Sequence, residues 1–324
     1  MRLRFNNDAG VVLAAAIGRT RTQLAVCDLS GRDLVTVWAE QETGIGPAEL
    51  MPRVADQLRR LLEKAERSPD DVRAFGLSIP GTVDVETGRS VASPVMPGWD
   101  GVDLTPALHQ LTEAPVYVEN DVNAMALSER HGHLEEFNDL LMVKASTGLG
   151  AGIITGGRLL RGAVGAAGEI GHTKTPSAQG RTCRCGDTGC VEAVAGGWAL
   201  VQELRGRGRD VEHVRALVGL AIDGDPEARH LVRESGRRFG EVLGGAVNLL
   251  NPEAIVVGGD MAAAYDIFVA GLRETVYANA TALATRELQI LPATHGQRAG
   301  VVGCASLALE QVLSPAAVDR AVHG

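Results

Sequence analysis

Lysine is nearly missing from this chain of 324 residues: Lys64, Lys144 and Lys174 are the only three among 31 basic side chains. Arginine supplies the rest, a compositional bias that says nothing about mechanism. No run of eighteen apolar residues occurs, which excludes a helix that spans a membrane. The opening Met1-Arg2-Leu3-Arg4-Phe5-Asn6-Asn7-Asp8 lacks the apolar block of a secretory signal, so a cytoplasmic protein with no membrane partner is expected. Acidic side chains number 40 and the formal charge is -9. Phosphate neutralisation needs a positive face, so nucleic-acid binding by this chain alone is not expected. The Walker A pattern and the dinucleotide fingerprint are also absent. Cysteines are few, at Cys27, Cys183, Cys185, Cys190 and Cys304. Their odd number, with three packed into eight residues, makes a poor disulfide framework and points to metal in a reducing compartment.

What is present describes a globular chain: 45% hydrophobic, 22% charged, 40 glycines and 3% aromatics. At this length a single core has stopped growing, so two lobes with a cleft are expected. Val11 to Ile17, Thr22 to Asp28 and Leu34 to Trp38 read as a strand meander. A helix follows over Pro47 to Glu66, then a strand over Val72 to Ile79, a short strand at Val116 to Glu119 and a helix over Asp121 to Gly132. The plan then restarts, with Leu140 to Ala145, Gly148 to Thr155 and Arg158 to Arg161 as a second meander. Pro226 to Leu249 reads as a helix, Ala254 to Val257 as a strand and Gly303 to Leu313 as a late helix. The repetition implies an internal duplication.

Chemistry concentrates in four places. Gly171-His172 precedes Cys183-Arg184-Cys185-Gly186-Asp187-Thr188-Gly189-Cys190, a donor set that matches a closed, structural zinc site on His172, Cys183, Cys185 and Cys190. Glu169 lies three residues before that histidine and Glu192 two beyond the last cysteine, where metal could position both toward sugar hydroxyls; ordinary surface carboxylates fit the spacing as well. Glu119-Asn120-Asp121 joins a strand to a helix, so Asn120 or Asp121 is a helix cap, a general base for an attacking hydroxyl, or both. Glycine turns at Gly18-Arg19-Thr20, Thr147-Gly148 and Gly258-Gly259 offer backbone amides to phosphate or adenine, or serve only as turns.

Taken in order, these pieces resemble the ROK family of bacterial repressors and sugar kinases, with matching residues from Val12 to about Leu309. The resemblance implies an α/β fold, a duplicated ribonuclease H-like, actin/hexokinase-like two-lobe architecture with a small zinc module. The lobes would be residues 1–122 plus 303–324, and 123–302 with the zinc module at 172–192. It implies Asp121 as catalytic base, Asn120, Asp121, Glu169, His172 and Glu192 as sugar ligands, and zinc on His172 and the three cysteines. It also implies nucleotide-facing turns at Gly18, Thr20, Thr147, Gly148, Gly258 and Gly259, and a homodimer or dimer of dimers.

Departures from the family pattern separate two readings. Family kinases open with Asp-Ile-Gly-Gly-Thr, whose aspartate helps hold the magnesium of ATP, whereas this chain has Ala16-Ile17-Gly18-Arg19-Thr20. Ser146-Thr147-Gly148 replaces Gly-Thr-Gly, and Val95 stands where asparagine is common. The pattern is similar to the effector-binding part of a ROK transcriptional regulator, a sugar sensor whose winged helix-turn-helix is lacking here, removed or lost. The alternative is an ATP-dependent sugar kinase of the glucokinase or N-acylhexosamine type, using ATP and Mg2+ with Asp121 as base.

Overall fold

In the computed structural model, which describes residues 4–84, 87–91, 96–131, 134 and 136–323, the first apolar run becomes the buried strand β1 (Val11–Ile17). The chain continues through β2 (Arg21–Asp28), β3 (Asp33–Glu40), α1 (Pro47–Lys64), β4 (Val72–Ile79) and a small hairpin, β5 (Thr82–Asp84) with β6 (Arg89–Val91). It then forms α2 (Thr105–His109), β7 (Val116–Asn120) and α3 (Asp121–Ser128). Next come β8 (Leu140–Ala145), β9 (Leu149–Thr155), β10 (Arg158–Leu159), α4 (Glu192–Ala195), α5 (Gly197–Gly206), α6 (Val214–Ile222) and α7 (Pro226–Leu250). The last elements are β11 (Ala254–Gly258), α8 (Tyr265–Asn279), α9 (Ala282–Thr285), β12 (Gln289–Pro292), α10 (Ala299–Val312) and α11 (Pro315–His323). Val95 lies outside the described residues. Among the described residues no helix is long and apolar enough to cross a membrane.

Two units form, Met1–His131 with Arg298–Gly324, and Gly132–Gln297. The first holds a mixed sheet in the order β3-β2-β1-β4-β7, the second one in the order β10-β9-β8-β11-β12. In each, the meander pairs antiparallel and the last two strands run parallel to the first. The two units therefore repeat one plan.

Strand periodicity sorts the first core into two layers. Leu13, Ala15 and Ile17 pack with Leu50, Val54, Leu58 and Leu61 of α1, while Val12 and Ala14 pack with Val301, Cys304 and Ala308 of α10. Each fully buried leucine contributes about 1.5–3 kcal/mol of apolar transfer. On the α10 side backbone meets backbone. A Cβ at Gly76 would lie 1.9 Å from the Cys304 carbonyl oxygen, and one at Gly303 would lie 1.6 Å from that of Ala124. This contact holds α3 in the first unit, beyond the junction at 122/123 that the sequence suggested. Helix α3 itself stops at Ser128 and passes into a 3-10 turn, Glu129–His131, instead of running to 132. The late helix begins at Ala299, four residues earlier than its pattern implied.

In the second unit α7 and α8 approach closely along Gly236, Gly240 and Gly244. A Cβ at Gly236 would lie 2.0 Å from the Phe268 carbonyl oxygen. Phe239, Leu243 and Val247 of α7 and Phe268, Leu272 and Val276 of α8 share the core beneath the sheet with Ile255 and Val257 of β11.

Candidate functional site

Ligands of open α/β sheets bind outside the carboxyl ends of the parallel strands. In the first unit β1, β4 and β7 are parallel neighbours, so Gly18-Arg19-Thr20, Pro80-Gly81 and Asn120-Asp121 share one sheet end. Asn120 is the cap of α3: its Oδ1 accepts from Val122 N at 2.8 Å and Asn123 N at 3.1 Å, and its Nδ2 donates to Gly81 O at 2.8 Å. One amide hydrogen is left for a ligand. Asp121 is the first helical residue and half-buried. Beneath it the buried Glu119 accepts at Oε1 from Asn120 N and Asn123 Nδ2, both at 2.9 Å. The Gly18 turn is closed by Gly18 N to Arg21 O at 2.9 Å, and Gln41 ties it from the side, donating to Gly18 O at 2.7 Å and, through its own N, to Thr20 O at 2.9 Å.

Ala16 sits in a cross-strand row that sequence reasoning did not find. It registers with Gln23 on β2 and Ser78 on β4, and Ser78 registers with Glu119 on β7. Gln23 Nε2 and Asn123 Oδ1 are buried there without a hydrogen-bond partner. A Cβ at Gly300 of α10 would lie 3.1 Å from the Ala16 methyl group. Strand register brings Gln23, Ala16, Ser78 and Glu119 together, and α3 and α10 add Asn123 and Gly300.

In the second unit His172, Cys183, Cys185 and Cys190 place their ligating atoms within 4.8 Å of one another. His172 Nδ1 lies 3.7 Å from Cys183 Sγ, and Cys185 Sγ lies 3.8 Å from Cys190 Sγ. A tetrahedron with metal–sulfur bonds of about 2.3 Å has edges near 3.8 Å, so the donors fit zinc. Left-handed backbone at Gly186 (φ 92°) and Gly189 (φ 83°) turns the loop. Cys183 N donates to Asp187 O at 2.7 Å and Gly186 N to Cys183 O at 3.0 Å. Burial pushes the Cys183 thiol up to about 12. At Cys185 burial acts the same way but is outweighed by hydrogen bonds from Asp187 N and the neighbouring thiols, and its pKa falls below the ordinary thiol value. The other cysteines, Cys27 and Cys304, lie buried in the first unit, where burial raises both thiols, Cys304 to about 12.

The second ring nitrogen of His172, Nε2, faces Glu169 Oε2 at 3.7 Å. Glu192 is 5% exposed; its Oε2 accepts from Leu149 N at 2.9 Å and its Oε1 from Trp198 Nε1 at 3.0 Å. It thereby ties the cysteine loop to β9 and α5, with lone pairs remaining for a further donor.

Thr147, Gly148, Gly258 and Gly259 gather at the carboxyl ends of the parallel strands β8 and β11. Ser146 Oγ donates to Asp260 Oδ2, and Thr147 Oγ1 contacts His213 Nε2 at 3.3 Å. Gly259 has φ 89°, and a Cβ there would lie 2.6 Å from Ala145 O, so only glycine closes this turn without strain.

Residues 12–311 match the sequence pattern that defines the ROK family. The xylose repressor of Caldicellulosiruptor bescii is 28% identical over 326 residues, covering 96% of this chain and 81% of that protein. A crystal structure described as a ROK family transcriptional regulator, homolog of the E. coli MLC protein, superposes with a TM-score of 0.83 at 27% identity, covering 98% of this chain and 82% of that one. A ROK family glucokinase from Streptomyces griseus, solved with glucose and AMPPNP, superposes with a TM-score of 0.77 at 30% identity, covering 92% and 99% respectively.

Proposed function

The chain belongs to the ROK family, and from that premise we propose that it is the sugar-sensing, effector-binding part of a transcriptional regulator. Ala16 carries this reading. In the kinases of the family an aspartate at this place helps hold the magnesium of ATP, and a methyl group packed toward Gly300 supplies no charge for a hard cation. Arg19 adds a side chain where the kinase turn has glycine to admit phosphate.

The sugar contacts we assign are Asn120, Asp121, Glu169, His172 and Glu192. Asp121 and Glu169 accept hydrogen bonds from hydroxyls, Asn120 donates its remaining amide hydrogen, and His172 presents Nε2 while Nδ1 faces the cysteines. His172, Cys183, Cys185 and Cys190 would hold zinc as a closed site with no open position for chemistry, and would thereby fix the segment that runs from His172 to Glu192. Binding shifts the population of conformers only as far as the sugar prefers one of them. A homodimer or dimer of dimers is the expected assembly.

The second reading, an ATP-dependent hexose or N-acylhexosamine kinase, is favoured by the retained Asn120-Asp121 at the start of α3. In that case Asp121 takes the proton of the attacking hydroxyl, and Gly18, Thr20, Thr147, Gly148, Gly258 and Gly259 line the nucleotide, with Mg2+ as the ion.

Titration calorimetry across hexoses, N-acylhexosamines and xylose tests the sugar assignment. One of them should bind, and Glu169→Ala should weaken it by tenfold or more, the loss of a charge-assisted hydrogen bond worth about 1.5–3 kcal/mol. Equal affinity in the variant would remove Glu169 from the site.

A further inference from the structure

We propose that Lys174 is a positioning residue of the metal centre: its ammonium donates a hydrogen bond to the Cys190 thiolate and sets how slowly the centre releases its metal. The inference rests on the zinc reading above.

Lys174 Nζ lies 3.2 Å from Cys190 Sγ and 2.5 Å from Asp187 Oδ2. The backbone enforces this placement. Lys174 and Cys190 face each other in an antiparallel bridge, flanked by Thr175 N to Gly189 O at 3.0 Å and Val191 N to Thr173 O at 2.9 Å. Cys190 is fully buried while Lys174 is half-exposed, so the ammonium covers the sulfur from the solvent side. Asp187, on the same loop, holds it there.

Charge explains why a cation belongs at this place. Three thiolates and a dication leave one net negative charge, which favours a cation against one of the sulfurs; Asp187, paired with the same ammonium, holds it in place and leaves the local sum at minus one. Arg184 lies between two of the cysteines in sequence, yet its guanidinium stacks 5.0 Å over the Trp198 ring and 3.8 Å from Glu192 Oε1. The chain has three lysines among 31 basic residues, and one of them stands here. A compact ammonium donates to a single sulfur, whereas a planar guanidinium suits two parallel acceptors. A hydrogen bond to the coordinating sulfur lowers its basicity and steadies its orientation, and groups in this outer position change metal affinity by about 10–100-fold.

The experiment loads the full chain with one equivalent of zinc and follows transfer to a chromogenic chelator in wild type, Lys174→Met and Lys174→Arg. Lys174→Met should release zinc about tenfold faster, the lower end of that range because Lys174 is half-exposed. Lys174→Arg should recover part of the difference. Added salt should speed release from wild type and leave Lys174→Met nearly unchanged. Cobalt(II) substitution supplies a readout that altered folding alone would not give: loss of the ammonium makes the thiolate more electron-rich and moves the sulfur-to-cobalt charge-transfer band to lower energy. Circular dichroism of the zinc-loaded variants checks that the fold is kept. If wild type holds one zinc per chain and Lys174→Met releases it at the wild-type rate with an unshifted cobalt band, the role of Lys174 is refuted and the zinc assignment stands. If loaded wild type holds no zinc, the zinc assignment fails and this inference with it.

Discussion

Asn120 ties the start of α3 to the end of β4 through one side chain, its oxygen on the helix amides and its nitrogen on Gly81. Replacing it with alanine should lower stability by about 1–2 kcal/mol, the value of a helix cap, seen as a lower urea midpoint. Asn120→Asp keeps the cap, loses the bond to Gly81 and should fall between. Asp28 gives a pH-dependent counterpart. Burial works to raise its pKa, but the Ser30 hydroxyl and amide and the Arg32 amide and guanidinium hold the carboxylate, and the net shift is downward. A depressed carboxylate stabilises the fold above its unfolded pKa, near 4, and the contribution disappears as pH falls through the lower folded value. Asp28→Asn should therefore be less stable at pH 7, by about 1–3 kcal/mol, and the gap to wild type should begin to narrow below about pH 4 and close only below the lower folded value; a gap independent of pH would refute the assignment. At this scale local chemistry was legible. The cysteine cluster follows from side-chain type and spacing, and so does a polar cap at Asn120 or Asp121, of which the structure selects Asn120. The tethers of Glu192 to Leu149 and Trp198, and the row of Gln23, Ala16, Ser78 and Glu119, depend on folding and register that no local pattern states.

Helix α7 carries two neighbouring tests of packing. A Cβ at Gly240 would lie 2.1 Å from Thr275 Oγ1 and 2.6 Å from Leu272 O, whereas one at Gly245 would meet nothing within 4 Å. Gly240→Ala should destabilise by about 1–3 kcal/mol through overpacking against α8, while Gly245→Ala should stabilise by about 0.5–1 kcal/mol through helix propensity. Chemical denaturation of both variants checks the sign, and a matching sign in the two would contradict the α7–α8 contact. The sequence showed α7 because its apolar residues recur over 25 positions. It did not show α8, although Phe268, Val269, Leu272 and Val276 have helical spacing. The intervening Ala270 and Gly271 dilute the stripe, since the face toward α7 is built from small residues. Helices α5 and α6 and strand β12 are short, and their limits depend on tertiary packing.

Across the whole molecule the duplicated meander was legible, and both sheets follow the same order. The place where one unit passes to the next was not, because α3 belongs with α10 through the contact of Gly303 on Ala124, which lies far away in sequence. The family and its α/β fold follow from motifs spread over residues 12–311; our proposal that the chain senses a sugar instead of phosphorylating it rests on Ala16 at the end of β1 and Arg19 in the turn that follows. The most direct test is phosphoryl transfer from magnesium ATP to the sugar that calorimetry selects, with zinc-loaded protein and Asp121→Ala as the blank. The sensor account predicts tight sugar binding with turnover no higher than that blank. Turnover above the blank, abolished by Asp121→Ala, would contradict it and establish a kinase.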